Sequence, residues 1–483
     1  MDLYKMSAQK LASQATKDPA VLDKVFAMLS HLYQETGDLN AFNFFDLENI
    51  KKQIALIKNK IAEGKQLPLA GVPISLGDNI CTENIKTTCS SKMLANYEPP
   101  FDSMVNKIIE ESGAIMAGKT NLEEFGLGCN GSSSYYGIAK NPWDNKRVAG
   151  SGAAAAVATL ISTLSLATDT AGELRQSAAY CGVMALKPSY GRISRRGIIE
   201  YASSMEQLGA IARRTEDLAV ALELISGPDQ QDSTSLNKES PSYISSLNKA
   251  RENFKIAVPD NWDQAPGLED EVEECFREQL ENLNTEIFQV EYVSLRYFQK
   301  ACLAASIINA AEAFSNLANY DGVRFGFRYE GKSLQDMYFK SRSEGFSSKM
   351  RQYLTLGALV SSGKYYEDYF LKSQRLRTLI KKELEECLEH YELLLTPTSP
   401  FTAPFPSAEP DTGQLPDVAS FYTAAANLAG LPALSFPLYT FSKRPAGLQF
   451  IGKFDEETTL LKVSSVLEEE GISLKFTKPG SME

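Results

Sequence analysis

The segment from Leu164 to Gly182 constrains this chain most. An apolar run (Leu164, Leu166, Ala167) enters a turn of small residues at Thr170 to Gly172, and the chain leaves it as a helical segment through Arg175 toward Gly182. A helix start leaves backbone N–H groups without intrahelical partners, and a strand entering through a tight turn points those groups at one spot. Beside a nucleophile, such a spot is an oxyanion hole for acyl transfer. The residue after Gly172 is Glu173, where that chemistry wants an alcohol or a thiol.

Around this segment, short apolar strands alternate with helices. The strand-like stretches are Ala41 to Phe45, Val72 to Leu76, Ala114 to Ala117, Val183 to Leu186, Lys255 to Val258, Leu393 to Leu395, Ala433 to Phe436 and Leu448 to Ile451. Helical spacing marks Val21 to Leu32 after an Asp18-Pro19 start, Leu47 to Ala62 before Gly64, Asp102 to Glu111 before Gly113, and Gly152 to Leu160. Thr215-Glu216-Asp217 reads as the cap of a helix ending at Gly227-Pro228, Leu268 to Asn284 as an acidic helix, and Arg296 to Tyr391 as a mainly helical region. The alternation predicts an α/β fold, a mixed sheet with helices on both faces. Residues 1–66 form a helical segment packed on a core spanning 67–480, and Gln230 to Lys249, polar and without period, is a surface connection.

Composition then removes whole classes of function. The 483 residues carry a net charge of −12, so this chain alone lacks the clustered Lys and Arg that grip a phosphate backbone. The cysteines at 81, 89, 129, 181, 275, 302 and 387 are seven and never spaced C-x-x-C, which signals neither a disulfide framework nor a zinc site. Cys129 and Cys181 have no assigned histidine to activate them and read as buried fillers. His31 and His390, the only histidines, lie in helix-like sequence and supply no relay or metal cluster. No run of about 18 apolar residues occurs, and Met1-Asp2-Leu3-Tyr4-Lys5 lacks the pattern of a signal peptide. The expectation is a cytosolic protein without metal, cofactor or membrane partner.

Several motifs carry a resemblance. Leu69-Ala70-Gly71-Val72-Pro73, Gly118-Lys119-Thr120-Asn121, Asn141-Pro142-Trp143-Asp144, Asp169-Thr170, Arg175-Gln176, Leu186-Lys187-Pro188-Ser189-Tyr190-Gly191-Arg192, Asn427-Leu428-Ala429-Gly430-Leu431-Pro432 and Gly447-Leu448-Gln449-Phe450-Ile451-Gly452 together resemble the amidase signature family. Within it the likeness is nearest to the A subunits of glutamyl-tRNA(Gln) amidotransferases. The resemblance covers about Tyr4 to Glu470 and implies an amidase-signature fold, release of ammonia from glutamine by a Lys-Ser-Ser triad, and assembly with B and C subunits.

The departures fall where that chemistry belongs. The family's lysine base precedes Asp-Asn; here Pro73-Ile74-Ser75-Leu76-Gly77-Asp78-Asn79 puts Gly77 in its place. The bridging serine corresponds to Ser151, in a loop three residues shorter, and the nucleophile corresponds to Glu173. The oxyanion-hole donors fall on the backbone of Thr170, Ala171 and Gly172. The charged residues that hold free glutamine correspond to Gln352, Tyr353 and Ser420, with Arg351 one step away. Lys119 and Lys187 sit in structural motifs and read as surface or packing residues, Tyr135-Tyr136 as aromatic packing, and Glu468-Glu469-Glu470 as a solvated helix end.

The resemblance with these departures implies a protein like those A subunits that has lost hydrolysis and works by binding, in an assembly with B and C subunits or on a small ligand. The alternatives are an enzyme of altered chemistry using Glu173, with Asp169 or Asp78 nearby, or an active amidotransferase component should the motif register be wrong. A carboxylate accepting the turn's N–H groups is expected to have a lowered pKa, and Glu173→Gln to cost roughly 1 to 3 kcal/mol at neutral pH.

Overall fold

The computed structural model describes residues 3–129, 131–247, 253–283, 285–406 and 418–471. Eleven strands form one mixed sheet: β1 (Phe42–Phe44), β2 (Pro73–Gly77), β3 (Ile115–Thr120), β4 (Leu164–Asp169), β5 (Met184–Lys187), β6 (Gln207–Ala212), β7 (Phe254–Pro259), β8 (Phe288–Val293), β9 (Leu393–Pro397), β10 (Ala433–Tyr439) and β11 (Pro445–Gly452). Their order is β1-β3-β2-β4-β6-β5-β10-β11-β9-β7-β8. Parallel pairs lie toward both ends (β3-β2-β4 and β9-β7-β8), the centre is antiparallel, and β1 adds an antiparallel edge on β3.

Alternation along the central strands explains the helices on both faces. Met184 and Leu186 of β5, with Ala210 and Ala212 of β6, pack into a core with Leu218 and Leu222 of the helix Thr215–Ile225 and Leu460 and Leu461 of the helix Glu457–Glu469. Their neighbours Ala185 and Ile211 point the other way, onto Ala153, Ala154 and Val157 of the helix Gly152–Ala158 and Leu174 and Ala178 of the helix Glu173–Cys181. A strand turns successive side chains to opposite faces, so two apolar layers on one strand require two helical layers. The N-terminal helices Val21–Thr36 and Leu47–Ala62 join the first core through Leu22, Val25, Ile50 and Ile54. In the mainly helical region, Ala301–Asn316 and Lys372–His390 pack through Ile308, Ile380 and Leu384 in a further core with Leu394 and Ile451. The stretch Phe298–Asn319 is long and apolar enough to cross a membrane, but 61% of its apolar window is buried inside the protein.

Some expectations need correction. Strand β6 and Gly209 within it escape the sequence reading because all six residues are buried and show no alternation. Glycine is required there: a Cβ would meet the Leu174 side chain at 2.5 Å and the Leu186 carbonyl at 2.6 Å. The helix Ala8–Lys17 and the edge strand β8 likewise have no counterpart among the expected elements, and of the helix Glu457–Glu469 only the end was expected. Thr215 is no cap; it lies within its helix, and its hydroxyl bonds Ser464 Oγ at 2.6 Å. The helix after Asp18-Pro19 starts only at Val21, because a turn intervenes in which Ala20 N–H donates to the Asp18 carboxylate. The polar connection contains a short helix, Tyr243–Leu247, anchored by the fully buried Tyr243; residues 248 and 249, like Asn284 and 472–480, lie outside the described residues. Glu468 is not simply solvated: it accepts from Thr215 N–H at 3.1 Å, while Glu469 and Glu470 are exposed.

The passage from β4 into the helix Glu173–Cys181 is fixed by one ion pair. Arg175, on the first turn of that helix, meets Asp169 at the end of β4 through Nε to Oδ2 and Nη2 to Oδ1, both 2.9 Å, and both side chains are fully buried. Its remaining N–H groups reach Thr423 O, Gln449 Oε1 and Asn427 Oδ1, so all of the roughly five guanidinium donors are satisfied. Removing one partner of such a pair strands the other charge. Arg175→Met is therefore expected to destabilise by about 3 to 5 kcal/mol, read as a lowered urea midpoint with unchanged slope, and the double change with Asp169→Leu to recover part of that loss.

Candidate functional site

Between β4 and the helix Glu173–Cys181 the chain turns at Gly172, whose φ is +125°. A Cβ there would fall 2.0 Å from Thr423 Oγ1, so only glycine fits. Thr423 Oγ1 donates to Ala171 O at 2.6 Å and accepts from Gln176 Nε2 at 2.9 Å, which holds the turn from outside.

The side chain of Glu173 folds back onto this turn. Its Oε2 accepts from Thr170 N–H at 2.8 Å and from Ala171 N–H at 2.9 Å. The Glu173 carboxyl is nevertheless pushed up to about 7, first by burial and then by the neighbouring Asp169, against the pull of these backbone donors. This corrects the expected lowering: the turn's N–H dipoles are outweighed by loss of solvent and by the like charge of Asp169. Asp169 itself is held low, because the Arg175 guanidinium overcomes the upward push of burial.

Gly77, Ser151 and Glu173, far apart in sequence, line one cavity together with Asn79, Thr168 and Glu123. Gly77 ends β2 and carries no side chain that could take a proton. Ser151 caps the helix Gly152–Ala158, accepting from Ala154 N–H at 3.5 Å, and its hydroxyl donates to Ser177 Oγ at 3.0 Å, one turn beyond Glu173. The space for water-sized occupants is about 30 Å³, room for one or two waters and far less than a glutamine molecule fills.

The other singled-out residues are dispersed. Gln352 and Arg351 are exposed on the helix Ser348–Val360; Tyr353, half-buried, donates its hydroxyl to Ser306 O at 3.1 Å; Ser420 is buried; none of them lines the cavity. Lys119 and Lys187 are not surface residues but fully buried. Lys119 Nζ donates to Thr87 Oγ1 at 2.9 Å and sits 4.0 Å from Asp78, on the side of β3 opposite the cavity-lining Thr120. Lys187 Nζ caps the carbonyls of Pro188 and Leu431, and burial followed by the Arg175 charge lowers it to about 7. Cys181 is buried, with its thiol pushed up by loss of solvent, and Cys129 Sγ contacts Glu173 O at 3.5 Å. Tyr135 is exposed and packs edge-on against Tyr136 outside the cavity. Among the described residues no group of three His, Cys, Asp or Glu side chains is placed to hold a metal ion.

Sequence reasoning used Asn79 only to fix motif register, yet it is a wall of the cavity. Its Nδ2 donates to Thr168 Oγ1 at 2.9 Å and to Glu206 Oε1 at 3.3 Å. Thr423 escaped it as well, since nothing local in a threonine 252 residues from Ala171 announces that it buttresses this turn.

Comparison with known proteins shows the family. A family model described as Amidase matches residues 23–461. The A subunit of glutamyl-tRNA(Gln) amidotransferase from Desulforamulus reducens is 39% identical over 479 residues, covering 97% of this chain and 98% of that protein. The crystal structure of the Thermotoga maritima A subunit superimposes with a TM-score of 0.78 at 31% identity, over 97% of this chain and 95% of that one. A bacterial aryl acylamidase of the amidase signature family shares the fold, with a TM-score of 0.87 at 19% identity and full coverage of both chains. Similar to the amidotransferase A subunits over nearly its whole length, the chain belongs to the amidase family.

Proposed function

We propose that this chain is a cytosolic member of its family, like the amidotransferase A subunits in architecture, that acts by binding beside partners resembling the B and C subunits and does not release ammonia from glutamine. The observation that carries this reading is the Glu173 carboxylate on the N–H groups of Thr170 and Ala171. By the family resemblance those donors receive the oxyanion of a tetrahedral intermediate; here a side chain of the protein already satisfies them. The base position is Gly77, and the cavity between the two positions has room for about one or two waters. Loss of a triad's nucleophile or base costs about a millionfold in turnover, more than the remaining donors could offset.

One observation favours a second reading. A carboxyl at about 7 in a cleft is matched to general-base work at neutral pH. Against it, Asp169 is bound to Arg175, so this neighbouring carboxyl is not available as an acid partner.

The purified chain, alone or with B- and C-type subunits, is expected to release no ammonia from glutamine or asparagine above the buffer rate. Turnover abolished by Glu173→Ala would instead establish the altered enzyme. Pull-down with B- and C-type subunits at micromolar concentration is expected to retain the chain, and a folded chain that fails to associate would remove the assembly role.

The raised Glu173 value also fixes a sign. Its ordinary value is 4.5 and its folded value about 7, so the folded form holds the proton more tightly; this contribution is complete below 4.5 and is lost as pH rises through 7. The lowered pKa that made Glu173→Gln costly at neutral pH is thereby withdrawn, and the variant is expected to differ from the native chain in its pH dependence. Between about pH 5 and 8 the native chain is expected to lose roughly 1 to 3 kcal/mol more than Glu173→Gln does. Parallel stability curves for the two proteins in urea would contradict it.

A further inference from the structure

We propose that the cavity beside Gly77 binds an ammonium ion, held between the amide oxygen of Asn79 and the carboxylate of Glu173. Asn79 is fully buried, and its Oδ1 has no hydrogen-bond partner. The other end of the amide donates, Nδ2 reaching Thr168 Oγ1 at 2.9 Å and Glu206 Oε1 at 3.3 Å, which turns the oxygen away from both. Oδ1 lies 3.0 Å from the point at which a side chain on Gly77 would begin. A buried carbonyl oxygen turned toward an open space asks for a donor there.

The charge of the space selects which donor. Glu173 and Glu123 both line the cavity, and no lysine or arginine is among the lining residues; Glu206, on the far end of the Asn79 amide, is pushed well up by burial and brings no charge of its own. Glu123 is occupied by the N–H of Ser132 and the hydroxyl of Ser133, and its charge is answered by Lys349, whose Nζ lies 3.6 Å from Oε2, which leaves Glu173 as the cavity's uncompensated carboxyl. The Glu173 carboxyl accepts from the backbone N–H groups of Thr170 and Ala171 and from its own, and the roughly four lone-pair sites of a carboxylate leave it capacity for a further donor. A water molecule in this space would bring no charge. Hard metal cations take about six or more oxygen ligands, more than this wall supplies, whereas ammonium is satisfied by a few hydrogen-bond acceptors and is close to water in size. The cavity of about 30 Å³ admits an ion of that size. The push of burial on Glu173 is relieved when a cation sits beside it, so binding and ionisation of Glu173 reinforce one another.

Binding rests on the geometry of the cleft and not on the absence of turnover, and a melting experiment reads it separately from any ammonia assay. At about pH 8, thermal melting of the full chain is compared in ammonium, potassium and sodium chloride at equal ionic strength. The expected result is a saturable rise in Tm of several degrees with ammonium alone. Gly77→Lys tethers an ammonium group in the same space and is expected to melt without response to ammonium; Glu173→Gln, which keeps the size of the side chain, is expected to lose the response as well. No specific rise in the native chain, an equal rise with potassium, or an undiminished rise in folded Glu173→Gln would each overturn the proposal.

Discussion

The buried pair Asp169–Arg175 is the interaction on which the rest of the cleft depends. It joins the last residue of β4 to the first turn of the following helix, and through Arg175 it also ties in Thr423, Asn427 and Gln449 from two later elements. Asn427 returns the contact, donating to Asp169 O at 3.1 Å and Oδ1 at 2.9 Å. Two charges taken this far out of water are tolerated only when every donor and lone pair is answered, and here the answers come from residues 248 to 274 positions further along the chain. The turn between the paired residues therefore has a defined shape whatever side chain stands at 173.

That independence explains what Glu173 does. Backbone N–H groups persist through side-chain change, so a carboxylate in place of an alcohol leaves the donors of Thr170 and Ala171 still in need of an acceptor. The carboxylate supplies one, at the expense of bringing an acidic group close to Asp169 and out of solvent. Backbone hydrogen bonding and charge repulsion pull in opposite directions, and the raised pKa shows that burial with repulsion prevails. Gly77 adds to the imbalance, because a lysine there would have brought a balancing charge into the same space.

How legible this was in the sequence follows from how local each signal is. β4, its turn and its helix were readable because an apolar run, small residues and a helical segment are neighbours in the chain. The convergence of Gly77, Ser151 and Glu173 came from family motifs, and the structure places all three on one cavity. β6 was not readable, since burial on both faces removes the alternation that marks a strand. Nor could the sequence supply the sign of the Glu173 shift: the N–H donors are local, but the depth of burial is a tertiary property. The burial of Lys119 and Lys187 has the same origin, as carbonyls from Ile80, Pro188 and Leu431 replace the water a lysine normally keeps.

The reading of the cleft as self-occupied is tested most directly by a crystal structure of the native chain grown at neutral pH and soaked in glutamine. The Glu173 carboxylate is predicted to remain within hydrogen-bond distance of Thr170 and Ala171 N–H, with no glutamine between Gly77 and Glu173. A glutamine amide oxygen on those two N–H groups, with the Glu173 side chain swung away, would contradict it.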